Sequence, residues 1–548
     1  MLIDFASPAA PRSIEADLCI VGAGAAGIAL ALNFAGTHHS VCLLEGGGFA
    51  HEPESQALYE GSAVGVPWLC SLHDSRLRQF GGTTSREWGG GCTPLDALDF
   101  ASRPWVPYSD WPITRNELLP YYERARTIFQ LGPEPFEDLA LLAATIRQLV
   151  PNPLGFDPAT LVNRYYLKSP LNFGEAQRTA LEKARNVTAL VHANVVDLEV
   201  NDAASAMTAV RVKSLTGRTG TVRARAFVLA CGGIETARLL LAANKVESCG
   251  LGNRHDLVGR FFMDHPSGPV GTVVASEPER FIDAYDHSYH WARELPIYPT
   301  LYLSEAAQRR QELLNARCRL VTREAVEVPD GVAAFRELLD RARDRRLPPN
   351  LLLRQLHRIG RDIGHVAVAS ARRLAGRDAV RTRLDLEGVF EQAPNPASRI
   401  TLSYDRDALG QRRARLDWRL TDLDWRSYRG LAHCFDAELR RRRIGYLQIS
   451  DWLRSERPEV NSMLGGVAHH LGTTRMSDDP RSGVVDSNCR VHGIANLFVS
   501  SGSVLPTGGV AGPTFTIVAL GIRLADHLKR RLSLMPQPQA EALEAGDC

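Results

Sequence analysis

Leu18-Cys19-Ile20-Val21-Gly22-Ala23-Gly24-Ala25-Ala26-Gly27 decides the fold of this chain. An apolar, strand-forming run meets three glycines spaced G-x-G-x-x-G, and a helical pattern, Ile28 to Ala35, follows at once. Gly22 permits the tight turn out of the strand, Gly24 lets the backbone approach a pyrophosphate, and Gly27 lets helix and strand pack closely. The helix N-terminus then offers free N–H groups and a partial positive charge to phosphate oxygens. A second strand, Ser40 to Leu44, ends in Glu45, where a carboxylate can accept hydrogen bonds from ribose hydroxyls. Three glycines alone are a weak sign, because packing glycines occur in many folds. With strand, helix and acid in place they predict a dinucleotide-binding unit.

Further along, strand Ala226 to Cys231 ends in Gly232-Gly233 and leads into a helix, Glu235 to Ala243. Residues 187–225 alternate apolar and polar as hairpin strands do, at Val187 to Val191, Val195 to Val200, Thr208 to Val212 and Thr221 to Ala226. Helical patterns run over Arg115 to Ile128, over Leu139 to Leu149, and between Asp330 and Leu374. Strand-like runs at Ile400 to Leu402 and Arg413 to Leu420 precede a long helix near Trp425 to Arg443. The end returns to strand, glycine and helix, through Asn496-Leu497-Phe498-Val499-Ser500-Ser501-Gly502. The expected fold is α/β. A Rossmann-type domain is assembled from discontinuous segments 1–95, 180–270 and 465–548, and segments 96–179 and 271–464 form an α+β substrate-binding domain with a mixed or antiparallel sheet.

A chain of 548 residues exceeds the size at which one core stops growing, and 44% apolar residues can fill two. A net charge of +2 predicts no nucleic-acid partner. The run Arg440-Arg441-Arg442-Arg443 reads as a solvated helix face. The ten cysteines are scattered without C-x-x-C spacing, which argues against zinc and iron–sulfur sites. Cys19, Cys42 and Cys231 sit in strand patterns as small hydrophobes, so a reducing, cytoplasmic setting is expected. Residues 1–16 carry no leader pattern, and no apolar run is long enough to predict a membrane span. No G-x-S-x-G elbow, P-loop or metalloprotease helix occurs.

More motifs follow in order: Phe80-Gly81-Gly82-Thr83-Thr84 with Trp88-Gly89-Gly90, Val258-Gly259-Arg260-Phe261-Phe262-Met263-Asp264-His265-Pro266, Asn395-Pro396-Ala397-Ser398-Arg399, His469-His470-Leu471-Gly472-Thr473-Thr474-Arg475-Met476, and Val484-Val485-Asp486. With both ends of the chain they make it resemble the glucose–methanol–choline (GMC) flavoprotein oxidoreductases over nearly its whole length, near the bacterial pyranose oxidases and sugar or glycoside dehydrogenases. The resemblance implies FAD. It implies oxidation of a CH–OH group on a sugar, glycoside or other polyol-like metabolite, with the electron acceptor (oxygen, a quinone or a redox protein) left open. It also implies the cofactor contacts: Gly22, Gly24, Ala25, Ala26, Gly27, Glu45, Gly46, Gly82, Thr83, Glu87, Trp88, Val195, Gly232, Ser501, Gly502, Pro513 and Thr514.

His469, three residues before Gly472-Thr473, is the catalytic base by the same resemblance. The chemistry agrees, since taking hydride from a carbinol carbon requires the hydroxyl proton to leave, and an imidazole with a pKa of about 6.5 accepts it at neutral pH. The plainer reading is a hydrogen-bonded core histidine; the flanking motif favours catalysis. His470, next in an extended segment, points away and reads as structural, as does His265. His287 and His290 have no third ligand near them in sequence, so no metal is expected. Two departures stand out. Relatives carry His or Asn just before the Pro-Thr that opens the last helix, where this chain has Gly512. That keeps alive a lyase-like, non-redox use of bound flavin with His469 as acid and base, and a flavin-binding protein without catalysis. Glu87 stands where some relatives carry the histidine that links FAD, which implies a flavin held without a covalent bond.

Overall fold

The computed structural model describes residues 1–66, 71–85, 91–133, 152–285, 297–324, 382–455 and 463–534, together with parts of 331–367. The predicted helix at Leu139 to Leu149, the His287/His290 pair, Glu87 and Trp88 lie outside the described residues.

The glycine-turn strand is the centre of the first sheet. β2 (Ser13–Val21) pairs in parallel with β3 (Val41–Leu44) on one side and β10 (Thr219–Leu229) on the other. β3 continues to β7 (Val187–Val191) and β7 to β1 (Leu2–Asp4), while β10 also takes β19 (Leu497–Val499), all in parallel. β9 (Met207–Lys213) and β8 (Asn194–Val200) extend the sheet antiparallel from the start of β10. Leu18, Cys19 and Ile20 of this central strand are fully buried in the main apolar core, as a strand inside a parallel sheet requires. Full burial of a side chain such as Ile20 contributes about 1.5–3 kcal/mol. α1 (Ala25–Phe34) packs against the last helix, α6 (Pro513–Leu534).

Two strand assignments differ from expectation. Val187–Val191 is not a hairpin strand but a parallel one between β1 and β3, because Ala189, Leu190 and Val191 are buried irrespective of face. Thr221 to Ala226 and the following apolar run are a single strand, β10, whose first half is half-buried and whose last residues are core.

A second, antiparallel sheet runs in the order β17 (Gly445–Ile449), β11 (Pro266–Ala275), β14 (Thr382–Phe390), β13 (Ala316–Glu324), β12 (Ile297–Leu303), β6 (Leu161–Lys168), β5 (Gly91–Cys92), with β18 (Gly465–Gly466) beside β11. A three-stranded ribbon joins β15 (Arg399–Arg406), β16 (Arg412–Trp418) and β4 (Gly61–Gly65). Ile400, Leu416 and Trp418 of that ribbon belong to the same apolar core as the first sheet, whereas the second sheet packs its own core against α5 (Asp422–Arg442). Among the described residues, no helix is long and apolar enough to cross a membrane.

Candidate active site

A cleft opens at the carboxyl ends of β2, β3 and β10, where parallel sheets of this kind bind ligands. Backbone geometry explains its glycines. Gly22 has φ +104°, and a Cβ there would lie 2.7 Å from the Ala230 carbonyl oxygen. A Cβ at Gly27 would meet the Gly22 carbonyl oxygen at 1.9 Å, so Gly27 works behind the cleft in the helix–strand contact. At Gly24 the Cβ direction is open. No side chain caps α1, so its first N–H groups are left for a ligand. Glu45 accepts from Ala23 N at 3.0 Å and Gly47 N at 3.0 Å. Burial pushes its carboxyl pKa up, against the pull of the Gly47 N–H and the Arg78 guanidinium. An open glycine cradle, an uncapped helix and an acid at the neighbouring strand end fit a dinucleotide.

Gly22, Gly24, Ala25, Ala26, Glu45, Gly46, Gly82, Thr83, Val195 and Gly232 line this cleft, and so do Ser501, Gly502, Pro513, Thr514 and His469 from the far end of the chain. His470 lines it too, although the sequence reading turned it away. Its ring leans on Phe262, and burial lowers its pKa to about 3. Sequence reading did not find the charged wall beside the cleft, where Glu235 bridges Arg76 at 3.0 Å and Arg238 at 3.0 Å.

His469 is positioned by a crossing of two segments. Met263 and Leu471 exchange backbone hydrogen bonds at 3.1 and 2.9 Å, and Pro266 pairs with Gly466. Asp264 ties the crossing: Oδ1 accepts from His265 N at 2.6 Å and His469 N at 2.9 Å, and Oδ2 accepts from Ala468 N at 3.1 Å. Burial raises the Asp264 pKa to about 6 against these N–H groups. The crossing sets His265 Nδ1 2.7 Å from His469 Nδ1, with the rings nearly perpendicular. Burial, then the Arg317 guanidinium, lowers the His265 pKa to about 4. Burial, His265 and Arg317 together hold the His469 imidazole well below its ordinary value, so it is neutral at pH 7.

Gly512 follows a tightly held loop. Thr507 Oγ1 donates to the Asp99 carbonyl at 2.7 Å, and Trp111 Nε1 donates to Thr507 Oγ1 at 2.7 Å. Arg317 Nε donates to the Val510 carbonyl at 3.0 Å, its guanidinium lying 5.1 Å from the centre of the Tyr166 ring. Asn315 Nδ2 donates to Asp99 Oδ1 at 3.1 Å, and Asn315 N to Glu391, which pairs in fork geometry with the buried Arg103. Of these, Asp264 was quoted in the sequence without a role, His265 was read as structural, and Arg317 was missed. A polar Asp-His pair ending the apolar run Phe261-Phe262-Met263 was the available signal for the first two; nothing local marks Arg317.

Residues 17–250 match the model for FAD dependent oxidoreductases, and residues 394–521 match the model for GMC oxidoreductases. The chain is 23% identical to the 2-methyl-1,2-propanediol dehydrogenase of Mycolicibacterium austroafricanum over 95% of its own length and 96% of that protein. It is 26% identical to the fructose dehydrogenase large subunit of Gluconobacter japonicus over 63% of its own length, and that match spans just over half, 55%, of the relative. Among solved structures, pyridoxine 4-oxidase from Mesorbium loti superposes with a TM-score of 0.57 at 17% identity, covering 94% of this chain and 99% of that one.

Proposed function

We propose that this chain, which is similar to FAD dependent oxidoreductases over residues 17–250 and to GMC oxidoreductases over residues 394–521, uses FAD to oxidise a CH–OH group of a sugar, glycoside or other polyol-like small molecule with His469 as the base. The observation that carries the reading is that His469 lines the same cleft as the glycine turn and the N-terminus of α6. The named relatives, a fructose dehydrogenase subunit and a diol dehydrogenase, support a polyhydroxylated or vicinal-diol substrate.

Gly22, Gly24 and the start of α1 would hold the pyrophosphate, Glu45 the ribose, and Ser501, Gly502, Pro513 and Thr514 the redox end of FAD. When bound, FAD supplies the hydride acceptor. The chain's own work is to orient the carbinol and to remove its proton. A half-buried, neutral imidazole does the second, and Asp264 fixes where its backbone stands. The open space beside Gly512 leaves room for a substrate substituent where a side chain would otherwise stand.

Anaerobic mixing of the holoenzyme with a panel of alcohols, sugars and glycosides tests the assignment. At least one polyol should bleach the visible flavin absorbance and yield a carbonyl product. Turnover of such a compound with the flavin left oxidised would replace the redox reading by an acid–base one at His469.

A further inference from the structure

We propose that His265 is a positioning residue for the reaction: it accepts a hydrogen bond from His469 Nδ1–H and so leaves the Nε2 lone pair of His469 as the proton acceptor. The inference rests on His469 being the base and goes beyond it by fixing which nitrogen acts and what holds it there. At 2.7 Å, two ring nitrogens cannot both carry hydrogen and cannot both present lone pairs, so one proton lies between them. The other nitrogen of His265 decides which ring owns it. His265 Nε2 faces the Gly508 carbonyl oxygen at 3.4 Å, and a carbonyl can only accept. His265 therefore carries its hydrogen on Nε2, its Nδ1 holds a lone pair, and the shared proton belongs to His469 Nδ1. The remaining nitrogen of His469, Nε2, is unprotonated and free to take the substrate's hydroxyl proton.

The packing supports this arrangement. Residue 508 is glycine, and a Cβ there would stand 3.2 Å from His265 Nε2 and 2.9 Å from a Leu471 methyl, so only glycine brings the carbonyl and the ring together without a shift. Asp264 accepts from the main-chain N–H of both histidines and locks their spacing. The groups that face His469 are His265, His470, Arg317 and Asp264. Burial and Arg317 keep His265 neutral, which preserves its acceptor lone pair. On proton transfer the substrate O–H bond breaks and a bond to His469 Nε2 forms. The imidazolium keeps its Nδ1–H on His265, so the partner that sets the tautomer also solvates the charge as it develops.

Three variants of the FAD-loaded protein and one spectrum test this. His265→Leu removes the acceptor and should slow anaerobic flavin reduction about 10- to 100-fold with FAD occupancy held and KM little changed. His265→Asn can offer an amide oxygen to His469 and an NH2 to Gly508, and should return the rate to within about tenfold of the wild type. His265→Asp places an anion against His469 and should move the acid limb of the rate–pH profile up by about one unit or more. Ring-15N spectra of histidine-labelled protein, assigned with His469→Ala, should show His469 protonated at Nδ1 in the wild type and not in His265→Leu. A wild-type rate and profile in His265→Leu overturns the inference. So does equal impairment of Leu and Asn with no displacement of the Asp profile, which marks a purely structural histidine. Full activity in His469→Ala would instead remove the base assignment itself, an outcome the same experiment separates.

Discussion

Among the described residues, a Cβ at residue 512 would have one neighbour within 4 Å, the Gly91 carbonyl oxygen at 3.6 Å, and the backbone there is not left-handed. A side chain is thus sterically and conformationally admissible, so strain does not explain the glycine. Val510 and Ala511 beside it are small and buried. The arrangement reads as space kept for substrate. Gly512→Asn should fold and retain FAD but lower catalytic efficiency on the native substrate, because the amide fills that space. If it merely restored a missing hydrogen bond, worth about 0.5–1.5 kcal/mol, efficiency would rise by up to about tenfold. Steady-state kinetics at matched FAD occupancy separates the two, and a gain contradicts the space reading. At this scale the sequence was legible where backbone sterics act: Gly22 takes the tight turn and Gly27 the close helix–strand contact that their spacing predicts. It marked His265 only as structural, because its contact with His469 joins partners 204 residues apart.

The glycine turn makes a sharper element-level prediction, because two of its glycines are there for different reasons. Gly22 is required by the fold: φ is +104° and a Cβ would collide with the Ala230 carbonyl. Gly24 has φ −77° and an open Cβ direction, so the fold does not require it. Gly22→Ala should lower the thermal stability of both apo- and holoprotein. Gly24→Ala should leave the apoprotein melting temperature unchanged while weakening FAD binding by about tenfold or more, since a methyl enters the space where the pyrophosphate approaches. Thermal unfolding without cofactor, paired with FAD titration, checks both; equal FAD affinity in Gly24→Ala would place the pyrophosphate elsewhere. The strand at Val187–Val191 shows where pattern reading fails. Its alternating residues imitate a hairpin, yet neighbours from β1 and β3, distant in sequence, bury it as a parallel strand.

Across the whole molecule, two large apolar cores divide the two main sheets, and the division does not follow local sequence pattern. The ribbon Arg399–Trp418 shows why: its apolar residues enter the first core through contacts with the helix Gly232–Ala242, a partner no local pattern reveals. The price of building the site is a cluster of neutral histidines, one buried and two half-buried. His265, His469 and His470 all have pKa values held below the ordinary histidine value in the folded protein, two of them at about 4 and about 3. The unfolded chain takes up protons at these residues as pH falls through about 6.5, and the folded one does not. Stability is therefore full above that pH and falls as pH drops below it, by about 1.4 kcal/mol per pH unit for each histidine that stays neutral in the fold. Asp264 acts in the opposite sense between about 6 and 3.8, because the folded state binds its proton first, and offsets one of them. Denaturant midpoints of the FAD-saturated protein should drop from pH 7 to pH 5; a flat or rising midpoint contradicts the buried-neutral assignment.

The central claim is that His469 removes the substrate proton, and the reductive half-reaction of His469→Ala measures it most directly. With FAD content matched to the wild type and the active polyol as donor, anaerobic stopped-flow mixing should show flavin reduction slowed by about 100- to 10,000-fold, the contribution of general base catalysis. A well-folded, FAD-replete His469→Ala protein that reduces its flavin at a near wild-type rate would contradict the account.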